Sequence, residues 1–282
     1  MRYFLTLILL LTCTSLWAQR KKSRGYQDPF LKTQWYLGFY GGGNLAGINP
    51  TTAYFGYAPL NYPQTEIAKR YNNYANIGGQ YGLVFMFYTE GFTIGLKPGI
   101  NIYNTEYSTT ISWQETANTA NSLKINYQHN TQFNYLEFPL TVQYDLLRER
   151  LRPYIGLGGY YGVLLNAART IQRSGVDAAS GSAGGFNNQP QTIGVQDEYI
   201  KSLVGVMGFI GASYDPGNIR ITLDLGYKFG LNNIANTANR FVNNPLAAIG
   251  EATDDQQLRN FYLSLGFVFP LKFISKNYNS VN

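Results

Sequence analysis

Residues Ile219–Leu231, IRITLDLGYKFGL, alternate without a break. Ile219, Ile221, Leu223, Leu225, Tyr227, Phe229 and Leu231 share one face, while Arg220, Thr222, Asp224, Gly226, Lys228 and Gly230 share the other. A period of two belongs to a β-strand with two unlike faces. In a soluble barrel the apolar face turns inward and the outer face is rich in Lys and Glu. Taken with Leu136–Tyr144 and Phe261–Leu271, the second face is instead mostly Gly, Ser, Thr, Tyr and other uncharged residues, with Arg220, Asp224, Lys228 and Glu137 as its charges. The apolar face is therefore expected outward, against lipid. Leu223 and Leu225 then touch lipid, and Asp224 and Lys228 point into a lumen.

Composition agrees. Charged residues make up 13% of the 282-residue chain, against ~25% in soluble domains. There are 24 Tyr, 17 Phe and 30 Gly, and the formal net charge is +6. Beyond the N-terminal segment no stretch reaches the ~20 apolar residues of a membrane helix; the best, Leu203–Ala212, is interrupted by Gly205, Gly208 and Gly211. A membrane chain without such helices must close into a barrel, because lipid cannot satisfy an open sheet edge. Nucleic acid is not an expected partner.

The chain starts MRYFLTLILLLTCTSLWA, with Arg2, an apolar run from Phe4 to Leu11 and a small residue, Ala18, at its end. This is the layout of a secretory signal peptide, too short to span a bilayer. Cys13 is the only cysteine, so cleavage after Ala18 leaves none for a disulfide or a metal. A lipoprotein reading of Cys13 is weaker, since Thr12 sits where a smaller residue is usual. An exported but unstapled protein fits a bacterial envelope.

Eight strands can be read: Trp35–Leu45, Gln80–Tyr88, Phe92 to about Ile111, about Lys124 to Leu146, Pro153 to about Arg169, about Glu198 to Tyr214, the opening stretch, and Leu258–Leu271. Three links are short: Thr89-Glu90-Gly91, Arg148-Glu149-Arg150 and Asp215-Pro216-Gly217-Asn218. The long links, Ile48–Gly79, Gln172–Asp197 and Asn232–Gln257, alternate with them, and the fourth, around Thr116–Ser122, is shorter. The expected class is all-β: an eight-stranded antiparallel up-and-down transmembrane β-barrel with long extracellular loops and short periplasmic turns. An even count places both termini in the periplasm of a bacterial outer membrane. The expected division is a signal peptide at 1–18, a basic periplasmic segment at 19–34 carrying Arg20, Lys21, Lys22 and Arg24, the barrel at 35–271, and a periplasmic C-terminal tail at 272–282.

The run Asn134-Tyr135-Leu136-Glu137-Phe138-Pro139-Leu140, then Gln143-Tyr144-Asp145-Leu146, then Arg152-Pro153-Tyr154-Ile155-Gly156-Leu157-Gly158-Gly159, resembles the PorT-like outer-membrane β-barrel family of Bacteroidota. In that family a YLEFP-type strand, a short turn and an RPY-x-x-G-type strand follow one another. The resemblance implies an eight-stranded barrel, and some members belong to the type IX secretion and gliding apparatus. Ser264–Leu271 is also similar to the last-strand signal read by the barrel assembly machinery, the partner expected during insertion; ordinary strand alternation accounts for it equally well.

Candidates for chemistry are few. His129 is the only histidine, with Ser122 and Thr131 near it in sequence, but no nucleophile-elbow motif accompanies it. A solvated loop histidine and no catalytic residue are expected. Glu251, Asp254 and Asp255 lack calcium-loop spacing and are expected in a solvated loop, without a metal. Gly41-Gly42-Gly43-Asn44 has the glycines of a phosphate loop but no Lys-Ser/Thr, so no cofactor is expected. The first long loop holds Tyr54, Phe55, Tyr57, Tyr62, Tyr71 and Tyr74, which suit partner contacts, loop cores or interface anchors.

Within the lumen, unpaired charges cost several kcal/mol each. Lys97 is expected to meet Asp224, Glu137 to meet Lys228, and Arg220 to join them near the periplasmic mouth. Barrels of about eight strands have interiors that side chains just fill. The expected function is a non-enzymatic outer-membrane component, structural or partner-binding in an envelope protein complex. A small-solute channel and a lipid-modifying enzyme using His129 are the alternatives.

Overall fold

Alternating sequence becomes a closed wall. The structure, a computed structural model, describes residues 32–54, 68–147, 149–179, 183–241 and 251–271. Its strands are β1 (Gln34–Thr52), β2 (Arg70–Tyr71), β3 (Ile77–Thr89), β4 (Phe92–Leu96), β5 (Gly99–Gln114), β6 (Ser122–Asp145), β7 (Leu151–Asp177), β8 (Gly184–Asn187), β9 (Gln191–Gly194), β10 (Ser202–Tyr214), β11 (Arg220–Gly230) and β12 (Asp255–Pro270). β4 and β5 are one wall strand interrupted at Lys97–Pro98, where Pro98 has no N–H to donate. Every pairing is antiparallel: β1 with β3, β3 with β4 and β5, these with β6, then β6–β7, β7–β10, β10–β11, β11–β12 and β12 back to β1. The ring of eight therefore has no open edge at the level of the membrane.

At one end the links are tight. Thr89 pairs with Phe92 across Glu90 and Gly91, whose φ values are 48° and 92°. Two positive-φ residues in a two-residue loop make the hairpin turn that matches strand twist. At the other end β2, β8, β9 and two short 3₁₀ turns (Gln196–Glu198 and Thr237–Asn239) lie within the long links. The expected signal peptide at 1–18, the expected basic segment up to residue 31 and the expected C-terminal tail at 272–282 fall outside the described residues, and β1 begins at Gln34, one residue before the expected barrel.

The two faces separate as the opening stretch requires. Leu223 and Leu225 are 48% and 52% exposed, whereas Asp224 and Lys228 are buried. Outward residues such as Leu37, Phe39, Phe138, Leu140, Leu157, Ile210 and Leu263 form an apolar belt around the wall. The belt ends at one level on three neighbours: Ile102 lies beside Asn134, and Asn134 beside Asn166. Beyond it β5, β6 and β7 continue for roughly 12 residues, about 40 Å along the strand, as a three-stranded sheet. There the outward row of β6 turns from Leu140, Phe138 and Leu136 to Asn134, Gln132, Asn130, Gln128 and Asn126.

Several boundaries differ from the sequence reading. β7 runs to Asp177 instead of Arg169, and β8 and β9 occupy much of the expected loop Gln172–Asp197. β1 continues to Thr52, and β10 starts at Ser202 because Gln196–Glu198 turn as a 3₁₀ helix. Above the belt, water touches the outer face, so the apolar row that marks a strand is lost there.

Candidate functional site

The interior takes its order from β11. Arg220, Asp224 and Lys228 face inward four residues apart, about 13 Å per step. At the turn end, Arg220 Nε lies 2.9 Å from Asp215 Oδ1 and Arg152 Nη2 lies 2.7 Å from Asp215 Oδ2. The Arg220 guanidinium sits 4.7 Å over the Tyr36 ring. In the next layer Lys97 Nζ meets Asp224 Oδ2 at 2.7 Å, and the Tyr154 hydroxyl donates to the other oxygen. In the third, Lys228 Nζ meets Glu137 Oε2 at 2.7 Å and donates to Asn101 Oδ1 at 3.1 Å, while the Tyr103 hydroxyl donates to Glu137.

Of the five expected lumen charges, the structure pairs Lys97 with Asp224 and Glu137 with Lys228. Arg220 goes instead to Asp215. Asp215 and Arg152 were missed as lumen charges because one belongs to the DPGN turn and the other to the RPY run. Strand parity was the available signal: Asp215 lies two residues from inward-facing Ser213, and Arg152 two residues from inward-facing Tyr154.

Tyrosines fill the space between layers. Tyr40, Tyr135, Tyr160 and Tyr262 are buried with Phe133 and Phe209. Several rings lie flat on a glycine of a neighbouring strand. A Cβ added at Gly205 would meet Tyr160 at 2.3 Å, and one at Gly226 would meet Tyr262 at 2.5 Å. Glycine on one strand thus makes room for an aromatic ring from the next.

The loop end is capped by residues 251–255. Glu251 and Asp254 are buried, not solvated as expected. Asp254 Oδ1 is 3.0 Å from Lys69 Nζ, and its Oδ2 accepts from the Tyr71 hydroxyl at 2.6 Å. Glu251 Oε1 accepts from the Tyr107 hydroxyl at 2.6 Å. Its Oε2 lies 3.6 Å from His129 Nε2. Burial pushes the Glu251 carboxyl up, but His129, Lys69, Arg169 and the Tyr107 hydroxyl outweigh it and hold the group below its usual range. Asp255 pairs with Arg240 at 2.7 Å. These residues look like a loop in sequence because the lysine, tyrosines and histidine that receive them lie more than 100 positions away.

His129 is likewise not a solvated loop residue. It is fully buried on β6 and stacks on Tyr107, ring centroids 4.5 Å apart and 7° from parallel. Thr131, the expected neighbour, faces the same lumen, where Arg169 Nε donates to its hydroxyl at 3.3 Å. Among the described residues, no group of three or more His, Cys, Asp or Glu side chains is placed to hold a metal.

Of the loop aromatics, Phe55, Tyr57 and Tyr62 lie outside the described residues. Tyr54 lies under the Arg240 guanidinium, 3.5 Å from its ring centroid, and its backbone N–H donates to Asp254. Tyr71 packs on Tyr107 within the mouth. Tyr74 packs edge-on against outward Phe261, ring centroids 5.3 Å apart, at the rim of the belt.

Among solved structures, the chain is similar to Ail, the attachment invasion locus protein of Yersinia pestis, crystallised with the heparin analogue sucrose octasulfate. That match has 9% identity over 84% of this chain and 99% of the other, with a TM-score of 0.30. Neisserial surface protein A matches at 13% identity over 83% and 96%, with a TM-score of 0.31. A Pseudomonas aeruginosa FadL homologue matches at 8% identity over 84% and 90%, with a TM-score of 0.25. No curated protein sequence matches. The family described as "Outer membrane protein beta-barrel domain" matches residues 17–236, well over half of the chain. The chain therefore belongs to this family of barrels of the bacterial outer membrane.

Proposed function

We propose that the protein is a non-enzymatic component of the outer membrane that acts through binding or scaffolding within an envelope protein complex, with its long links outside the cell and its tight turns and termini in the periplasm. The observation that carries this reading is the filled lumen: three ion-paired layers, tyrosines between them and a cap of five residues. Such an interior suits a rigid support better than a solute path. The burial of His129 against Tyr107, away from solvent, supports a packing role over a hydrolytic one. The PorT-like resemblance names the type IX secretion and gliding apparatus as the candidate machine. Affinity-tagged protein, extracted from its own membrane in mild detergent, should bring down a stoichiometric envelope partner. Recovery of the barrel alone would remove the partner-binding reading, and steady single-channel current in planar bilayers would replace it with a channel.

A further inference from the structure

On β12 the outward row runs Leu265, Leu263 and Phe261, then Arg259, Gln257 and Asp255, so Arg259 is the first polar side chain of that row above the belt. It stands opposite Gly47 on β1 and Phe229 on β11. Its guanidinium lies 5.0 Å over the Phe229 ring. On the other side the β2–β3 link folds over the outside of the wall. A Cβ added at Gly47 would meet Asn73 and the Tyr74 ring at 3.1 Å. Asn73 fixes the link there: it accepts from the Ile48 N–H at 2.8 Å and donates to the Ile48 carbonyl at 3.0 Å.

Tyr74 then crosses Phe261 and brings its hydroxyl 3.2 Å from that of Tyr227. Its φ of 63° lies in the left-handed region that bulky residues rarely enter. Backbone of this kind persists only where the surroundings fix it, and it gathers at ligand clamps. Arg259 thus sits between the Tyr74 ring over Gly47 and the Phe229 ring, with two phenol hydroxyls beneath it. Among the described residues nothing accepts from its buried Nε. Asp255, the carboxylate farther up the same row, is taken by Arg240 at 2.7 Å. A buried donor without an acceptor in the protein calls for one from outside it.

Resting on the orientation proposed above, with the long links outside, we infer that Arg259, Tyr74 and Tyr227 form a binding site for the phosphate of an outer-leaflet glycolipid, lipid A, whose acyl chains run down the belt past Phe261 and Leu263. The planar guanidinium matches two phosphate oxygens at once. The aromatic faces on either side hold it against the wall at headgroup height. The paired phenols can turn one O–H to a third oxygen. The site faces sideways at the top of the belt, where lipid surrounds the wall, which favours a lipid phosphate over a soluble anion.

Native mass spectrometry of the full-length protein in detergent micelles, with lipid A added, reads the site directly. The unchanged protein should hold lipid A, and removing the phosphates of that lipid should weaken binding by about ten-fold or more, the worth of a charge-assisted hydrogen bond. This comparison needs no variant. Arg259→Gln should lose the same factor for phosphorylated lipid A and nothing for the dephosphorylated form, with the unheated gel mobility of a folded barrel. Arg259→Lys, a point charge without the fork, should fall between. Equal binding of the two forms of lipid A, equal binding by Arg259→Gln, or displacement of the lipid by equimolar inorganic phosphate overturns the inference. Phosphatidylglycerol held in preference to lipid A, and lost in Arg259→Gln, would overturn it too and would put this rim in the inner leaflet, so the orientation would fall with it. If maleimide labelling of Thr119→Cys on intact cells upholds the orientation while Arg259→Gln changes the binding of no lipid, the site alone falls.

Discussion

Replacing Asp224 with alanine is expected to destabilise the barrel by about 3–5 kcal/mol. The Lys97 ammonium lies 2.7 Å from Asp224, and the two side chains keep only 12% and 4% of their exposure. Removing the carboxylate leaves a cation with little water to replace it, and loss of one partner of a buried pair costs about 3–5 kcal/mol. The Tyr154 hydroxyl also loses its acceptor, adding about 1 kcal/mol. The residual exposure of Lys97 works the other way, because the ammonium can shift toward solvent. Lys97→Met in the same background removes the stranded charge and keeps the bulk of the stem. It should recover about 2–3 kcal/mol. Urea titrations of the refolded protein in lipid vesicles, followed by tryptophan fluorescence, would give all four corners of the cycle. Losses that add within about 0.5 kcal/mol would mean that the two groups do not interact, and the layered account of the lumen would be wrong at its centre.

The cap should loosen in acid. A carboxyl held below its usual pKa stabilises the fold above its unfolded value, and that contribution is lost as pH falls through the folded value, so the window lies below about 4.3. Glu251→Gln should flatten the acid limb of the urea midpoint between pH 3 and 5; an acid limb identical to that of the unchanged protein would discount Glu251. Thr119→Cys, in the β5–β6 link, should react with a membrane-impermeant maleimide on intact cells, and Asn218→Cys should react only after the membrane is opened; the reverse pattern would invert the topology. The folded chain should also run faster in unheated than in heated denaturing gels, since a closed ring resists detergent. Equal mobility would argue against closure.

The wall was legible wherever lipid touches it, since an apolar row on every second residue survives only where the outer solvent is apolar. Ile219–Leu231 therefore fixed both the strand and its facing. The same logic failed above the belt on β7, where Gln172, Arg173 and Ser174 look like loop although they continue the strand to Asp177, while β6, read from about Lys124, starts at Ser122. Pairing of lumen charges was legible for Lys97–Asp224 and Lys228–Glu137, because heights along strands can be counted from the turns. Arg152–Asp215 was not, because a turn motif and a family motif masked two inward charges. The cap was illegible for a different reason. Nothing local marks Glu251 or Asp254 as buried; only the fold brings Lys69, Tyr71, Tyr107 and His129 to them.

The stacked layers of the lumen also act as resistors in series. Flow through a narrow tube is set by its tightest section, so relieving one obstruction changes little while another remains. Asp215 with its two arginines, Lys97–Asp224, Lys228–Glu137 and the Glu251–Asp255 cap follow one another along the axis. A substitution that empties one layer can therefore cost stability without yielding current. On the reading proposed above, drift toward a pore would need several losses at once, each harmful alone.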